Sequence, residues 1–192
     1  MYKFFAFLNR MKYIKRWSLM RSIREENIME HTQSVAVIAH ALALISNKYG
    51  NGAKVDVNKT VLIAQYHEVG EVITGDLPTP IKYFNPEIKS AYKDLEEQAC
   101  KKLLNMLPED FKKDYEEYII PDRNTYEYKL VKYADRIAAY LKCVEEVRAG
   151  NAEFKKAKES IGAELKNSDD FAVAYYLKNF APAYDLTLDE LD

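Results

Sequence analysis

Three residues, His31, His67 and Asp135, sit where polar groups need a reason. The chain has only three histidines. His31 precedes Val35 by four residues and Ile38 by seven, and His67 follows Ile63 by four, so both fall on the apolar stripe of a helical pattern. Asp135 follows Val131 by four and precedes Ala138 by three. A carboxylate on such a face is costly unless it meets a cation or a metal. Its neighbour Arg136 reaches it only by folding back, because adjacent helical residues do not face each other. The run His67-Glu68-Val69-Gly70-Glu71 sets one carboxylate beside His67 and another a helical turn beyond. Three readings fit these residues. In the first, the histidines are hydrogen-bonded core residues and Asp135 is half of a buried ion pair. In the second, the run is a variant His-Glu-x-x-His metalloprotease helix, but Glu71 stands where the second ligand belongs. In the third, a His-carboxylate doublet finds its missing ligands in the distant His31 and Asp135.

The elements that must position these residues are helical. Val35, Ile38, Leu42 and Ile45 recur at spacings of three and four within 30–48, and no alternating stretch long enough for a strand is present. Further helical patterns run over about 3–14, 57–69, 86–106, 109–118, 126–148, 151–166 and 169–180, with Asn-Gly, Gly-Asp, Pro and Gly-Asn between them. The expectation is an all-α bundle with short links, a single domain over 1–192, without internal repeat. Thr74-Gly75-Asp76-Leu77-Pro78-Thr79-Pro80 differs from a plain turn, because its two prolines stiffen the backbone and remove two amide donors. Ordered loops of this kind often carry function.

Composition narrows the function classes. With 192 residues, 48% of them hydrophobic, and a net charge of −2, the chain can bury one core and has no bulk charge for a nucleic-acid polymer. Six Gly and six Pro exclude a low-complexity or collagenous chain. Cys100 and Cys143, 43 residues apart, form no zinc ribbon and no disulfide framework. They read as small apolar residues of amphipathic helices, and a reducing, cytoplasmic setting is expected. Uninterrupted apolar runs such as Phe4–Leu8 fall short of the roughly 20 residues of a membrane span, so no membrane is expected as a partner. Residues 1–24 hold Lys3, Arg10, Lys12, Lys15, Arg16, Arg21 and Arg24 and no acid, which leaves 21 basic against 30 acidic residues, or −9, in the remainder. Such a segment can be a transit peptide, a membrane-surface helix or part of the fold facing an anion. His40 is nine residues after His31 and points to the opposite side of their helix, outside any shared metal site. The 15 tyrosines are expected to place their hydroxyls at the periphery of helix packing.

At these residues the chain resembles the HD-domain phosphohydrolases, an all-helical superfamily whose metal ligands run His, His-Asp, Asp along the sequence. Within it, the chain is most similar to the bacterial 5′-deoxynucleotidases. The likeness covers essentially the whole chain. It runs through Lys15-Arg16-Trp17, Glu30-His31-Thr32, Tyr66-His67-Glu68, the continuous run from Glu71 to Asn85, Ala134-Asp135 and Ala139-Tyr140-Leu141-Lys142-Cys143. The ligand pattern is shared by many proteins. The Thr-Gly-Asp-Leu-Pro-Thr-Pro-x-Lys-Tyr-Phe-Asn run, which includes Tyr83, is far more specific.

The resemblance implies an HD-domain helical bundle holding one divalent cation on His31, His67, Glu68 and Asp135. It favours cobalt or manganese, with zinc or another transition metal also suited to two histidines and two carboxylates. The family keeps Asp where this chain has Glu68. Glutamate retains the charge and donors but adds a methylene, which moves the carboxylate outward by about a bond length, against metal–oxygen distances of about 2.0–2.2 Å. Glu71 and Asp76 match acidic residues beside the attacked phosphorus, with Glu71 activating water. Arg16 matches the residue that orients the phosphate, which suits its planar fork. The sole tryptophan, Trp17, matches the residue whose bulk excludes a 2′-hydroxyl. His31, Asp76, Leu77, Pro78 and Thr79 complete the implied nucleotide contacts. The implied activity is hydrolysis of 2′-deoxyribonucleoside 5′-monophosphates by a homodimer. Two alternatives stand beside it: another HD-family nucleotide phosphohydrolase, and a nucleotide-binding module whose catalysis is impaired by Glu68.

Overall fold

The structure is a computed structural model that describes residues 1–52, 54–82 and 84–192. Its α-helices are α1 (Phe4–Leu8), α2 (Ile28–Tyr49), α3 (Val57–Tyr66), α4 (Glu71–Thr74), α5 (Thr79–Lys82), α6 (Pro86–Leu104), α7 (Glu109–Ile119), α8 (Tyr126–Arg148), α9 (Lys155–Lys166) and α10 (Phe171–Asn179). No strand occurs among the described residues, in keeping with the all-α expectation. The stripe Val35, Ile38, Leu42 and Ile45 is buried in α2, which packs against α3, α8 and α10, while α9 packs on α8. Asn27 starts α2 with a capping box: its side chain accepts from the Met29 and Glu30 amides, and Glu30 accepts from the Asn27 amide.

The buried side chains form two clusters. The larger joins α2, α3, α8, α9 and α10; the smaller gathers Ile28 from the first residue of α2 with Phe4, Met11, Val69, Leu103, Leu104, Leu107 and Ile119. Ile28 belongs to the smaller and Val35 to the larger, with His31 between them. Ala64 and Val69 are divided in the same way, with His67 and Glu68 between. The chain therefore delivers its chemistry-bearing residues to the seam between the clusters.

Several elements depart from the sequence expectations. The pattern over 57–69 overshoots, because α3 ends at Tyr66 and the chain continues through tight turns, Val69 bonding to the Tyr66 carbonyl and Glu71 to that of Glu68. Gly70 allows this path: a Cβ there would lie 3.2 Å from Cys100 Sγ and 3.4 Å from the Glu96 carbonyl oxygen on α6. The pattern over 3–14 divides into α1 and a 3-10 segment, Asn9–Tyr13. The two-proline loop is shorter than read, because Thr79–Lys82 close a helical turn on the Pro78 carbonyl. Gly75 is needed in that loop for its backbone, at φ 74°, rather than for space. Apolar run length also understated α2. Its 22 residues are long and apolar enough to cross a membrane by length and composition, and it is the central helix of the larger cluster, with eleven residues buried.

The basic N-terminal segment packs into the fold. Residues 14–28 form a loop closed at its neck by the antiparallel bridge of Lys15 with Asn27 and by the Ile28 amide donating to the Ile14 carbonyl at 3.0 Å. A buried ion pair on α8, Lys142 with Glu146, anchors the far side of this loop. Glu146 accepts from the amides of Ile23 and Arg24 at 2.8 and 3.1 Å and from Asn151 Nδ2 at 2.8 Å, while Lys142 donates to the Arg24 carbonyl. Burial alone would raise the Glu146 pKa, but the donors hold it down, from 4.5 to about 2. The depressed value means that its stabilising contribution is present above pH 4.5 and is lost as pH falls toward 2. Glu146→Ala, which leaves Lys142 and the loop amides buried without their partner, is expected to cost about 3–5 kcal/mol in denaturant unfolding. The double change Lys142→Met with Glu146→Leu is expected to cost less.

Candidate active site

Each ligand-type residue reaches the seam by a different local device. His31 lies one turn into α2 and is fully buried; its Nε2 donates to Asp135 Oδ1 at 3.0 Å, and its Nδ1 has no hydrogen-bond partner. His67 and Glu68 follow the end of α3. Inside a helix two adjacent side chains would diverge, whereas the tight turn lets both enter the seam, with His67 Nε2 at 3.3 Å from Glu68 Oε1. His67 Nδ1–H donates to the Ala64 carbonyl at 2.6 Å, which fixes the ring and leaves the buried Nε2 without a hydrogen-bond donor to meet. Asp135 comes from the middle of α8. Its cation is Lys132, at 2.9 Å and one turn before it, and not Arg136, which turns away to Glu164.

The donor atoms of His31, His67, Glu68 and Asp135 all lie within 4.8 Å of one another. Ligands about 2.0–2.2 Å from a common centre stand about 3 Å apart on adjacent positions and a little over 4 Å apart on opposite ones, so the cluster has the size a divalent cation requires. The bare Nε2 of His67 and its carbonyl-held Nδ1 are the arrangement of a metal-binding imidazole. On both counts the residues present fit a divalent metal. The extra methylene of Glu68 does not keep its carboxylate out of the group.

The charges around the cluster are strongly coupled. Burial alone would raise the carboxyl of Asp135, but Lys132, His31 and His67 hold it well below the usual range. Burial and Asp135 oppose ionisation of Glu68, but His67 in its protonated form and Lys132 outweigh them and keep it low. Glu71, 5% exposed at the start of α4, has no such partner. Burial, Glu68 and Asp76 push it up to about 11 against the weaker pull of Arg16, and its Oε2 makes no hydrogen bond. Asp76 is raised mainly by burial and by Glu68, against the pull of Arg16 and Lys82. Burial alone would lower Arg16, but Asp135, Glu68, Glu26 and Asp76 together hold it above its ordinary value. The excess of carboxylates is itself a reason for a cation in the cluster.

The two-proline loop is held against α6. Tyr92 donates to the Gly75 carbonyl at 2.9 Å, and Lys82 pairs with Glu96 at 2.9 Å while lying over the Tyr92 ring. Asp76, Leu77 and Pro78 are half-buried in it and Thr79 is exposed, and Tyr83 lies outside the described residues. A cleft of about 150 Å³ opens beside His67, Glu68 and Glu71, and its walls carry Lys82, Arg123 and Lys132. The structure thus brings His31, His67, Glu68 and Asp135 into one cluster, the charges of Arg16, Glu71 and Asp76 act on its members, and His40 is exposed elsewhere on α2.

Two contributors were not read from the sequence. Lys132 carries a signal, its i, i+3 spacing to Asp135. Glu26 carries almost none, yet its Oε2 accepts from both Arg16 Nε at 3.0 Å and Trp17 Nε1 at 3.1 Å.

The chain is similar to known proteins over nearly its whole length. The family described as 5′-deoxynucleotidase YfbR-like matches residues 3–184. A 5′-deoxynucleotidase of Vibrio cholerae is 50% identical over 189 residues, 98% of this chain and 97% of its own. Among solved structures, an HD-domain phosphohydrolase from Listeria innocua matches with a TM-score of 0.81 at 23% identity, over 95% of this chain and 88% of that one. A cyanophage S-2L HD phosphohydrolase, bound to dA and one catalytic Zn²⁺ ion, matches with a TM-score of 0.65 at 20% identity, over 94% of this chain and 95% of that one. At these identities the two structures share the fold.

In equilibrium metal titrations, His67→Ala or Asp135→Ala is expected to abolish stoichiometric binding. Lys132→Met, which keeps all four ligands but frees Asp135, is expected to weaken it about 10–100-fold.

Proposed function

The chain belongs to the YfbR-like 5′-deoxynucleotidase family, and from that premise we propose that it hydrolyses 2′-deoxyribonucleoside 5′-monophosphates to the deoxyribonucleoside and phosphate. The observation that carries the reading is the four-ligand cluster with Glu71, Asp76 and Arg16 charge-coupled around it. A divalent cation on His31, His67, Glu68 and Asp135 supplies the positive charge that polarises the phosphoryl oxygens and offsets the surrounding acids. Cobalt and manganese suit this donor set, as does the zinc of the cyanophage neighbour.

The remaining steps fall to the chain's own groups. Arg16 orients the phosphate through two of its oxygens, with Nε already committed to Glu26. Glu71, held neutral in the metal-free chain by burial, Glu68 and Asp76, would be ionised by the charge of a cation in the cluster and would then take the proton from the attacking water as the bond from phosphorus to the sugar 5′-oxygen breaks. Asp76, on the stiff loop opposite, positions the nucleotide or passes the proton to the departing 5′-oxygen. Trp17 closes the space a 2′-hydroxyl would need, with His31, Leu77, Pro78 and Thr79 completing the nucleoside side. The assigned residues offer few hydrogen-bonding groups to a base edge, so base identity matters little. We take residues 1–192 to act as one unit, a cytoplasmic homodimer; the match over 3–184 and the two unpaired cysteines support the first two points.

The test is phosphate release from paired deoxyribo- and ribonucleoside 5′-monophosphates, with chelated protein resupplied with cobalt, manganese, magnesium or zinc. Metal-dependent turnover restricted to the deoxy substrates is expected. Glu71→Ala is expected to lower kcat about 10²–10⁴-fold with metal still bound, and Trp17→Ala to narrow the deoxy preference at least about tenfold. A native protein that is silent while Glu68→Asp is active would mean that the added methylene has disabled the site. Equal turnover of ribo- and deoxyribonucleotides would point to a different HD phosphohydrolase.

A further inference from the structure

Trp17 is the one non-glycine residue with a positive φ among the described residues, at 57°. A bulky side chain holds that backbone conformation only when its surroundings over-determine it. Two contacts do so. The indole packs on the fully buried Phe154, with ring centroids 5.3 Å apart, and its Nε1–H donates to Glu26 Oε2 at 3.1 Å. The same oxygen accepts from Arg16 Nε at 3.0 Å, and the Arg16 amide donates to the Glu26 carbonyl at 2.9 Å across the neck of the loop. The Arg16 and Glu26 side chains are only 12% and 14% exposed, so neither contact is loosened by water. With Nε occupied, the two terminal nitrogens of the guanidinium remain for a ligand.

We propose that the Glu26 carboxylate is a positioning residue that fixes Arg16 and Trp17 through one oxygen, so that phosphate affinity and the choice of deoxyribose over ribose are set together. The inference rests on the reading of Arg16 as the phosphate ligand and Trp17 as the sugar gate, and adds a residue to which that reading gives no role. Holding both side chains before substrate arrives removes the entropy of ordering them on binding. It also links two properties that separate residues would otherwise set independently.

The experiment compares wild type with Glu26→Met, which keeps the length but no acceptor, and Glu26→Gln, which keeps an acceptor without charge. The readouts are kcat and KM for dAMP and AMP, bound metal, and acrylamide quenching of the single tryptophan. Glu26→Met is expected to raise KM for dAMP and to cut the ratio of dAMP to AMP specificity, each about tenfold, with metal content unchanged and quenching increased. Glu26→Gln is expected to fall between, because a charge-assisted hydrogen bond is about twice as strong as a neutral one. Wild-type KM, ratio and quenching in Glu26→Met overturn the proposal; if that variant does not fold, the same result in Glu26→Gln does so. A wild-type enzyme that cleaves dAMP and AMP alike overturns the reading of Trp17 itself, before any variant is compared.

Discussion

Mutual repulsion among buried carboxylates is the constraint around which this molecule is organised. Glu68, Glu71, Asp76 and Asp135, with Glu26 behind Arg16, converge on one seam, where the described side-chain cations Arg16, Lys132 and Lys82 act on them. Each acid answers the crowding differently. Asp135 and Glu68 stay ionised by direct contact with His31, His67 and Lys132, whereas Glu71, lacking such a contact, is driven to its neutral form. A divalent charge among the ligands changes all of these balances at once, which is why the roles of Glu71 and Asp76 have to be described together with that of the cluster.

The fold supplies the seam by interrupting regular structure at the right places. A continuous helix from 57 to 74 would point His67 and Glu68 apart; ending α3 at Tyr66, with Gly70 packed on Cys100 and Glu96, turns them the same way. The loop 14–28 likewise carries Arg16 and Trp17 inward because its backbone is held at both ends, by Ile14 with Ile28 at the neck and by Glu146 on α8. Tyr92 and Glu96 do the corresponding work for the loop at Gly75.

The helical bundle was legible because long amphipathic patterns carry a periodic signal, and α2, α6 and α8 fall close to where periodicity set them. The ligand residues were legible because a polar group on an apolar stripe stands out in the sequence, which was enough to find His31, His67 and Asp135. Arg136 was rightly discounted as the partner of Asp135, because adjacent helical residues do not face each other, but the cation one helical turn away that does reach it, Lys132, was not named. The interruption at 67–70 was hidden because Val69 is apolar and continues the helical pattern, while the reason for the break, the closeness of α6 to Gly70, is a tertiary contact. Glu26 was hidden for a related reason. Its partners are nine and ten residues away across a loop without periodicity, and nothing in the local sequence marks that pairing.

The contact between His31 and Asp135 joins residues 104 apart in sequence. An ion shared by α2, the turn after α3 and α8 therefore ties off most of the chain's interior as a ring. The conformational freedom removed by closing a ring grows with its contour length, slowly but without limit. The metal that serves the chemistry thus also acts as a topological clasp, and its binding free energy is at the same time a contribution to holding the bundle's two clusters in register.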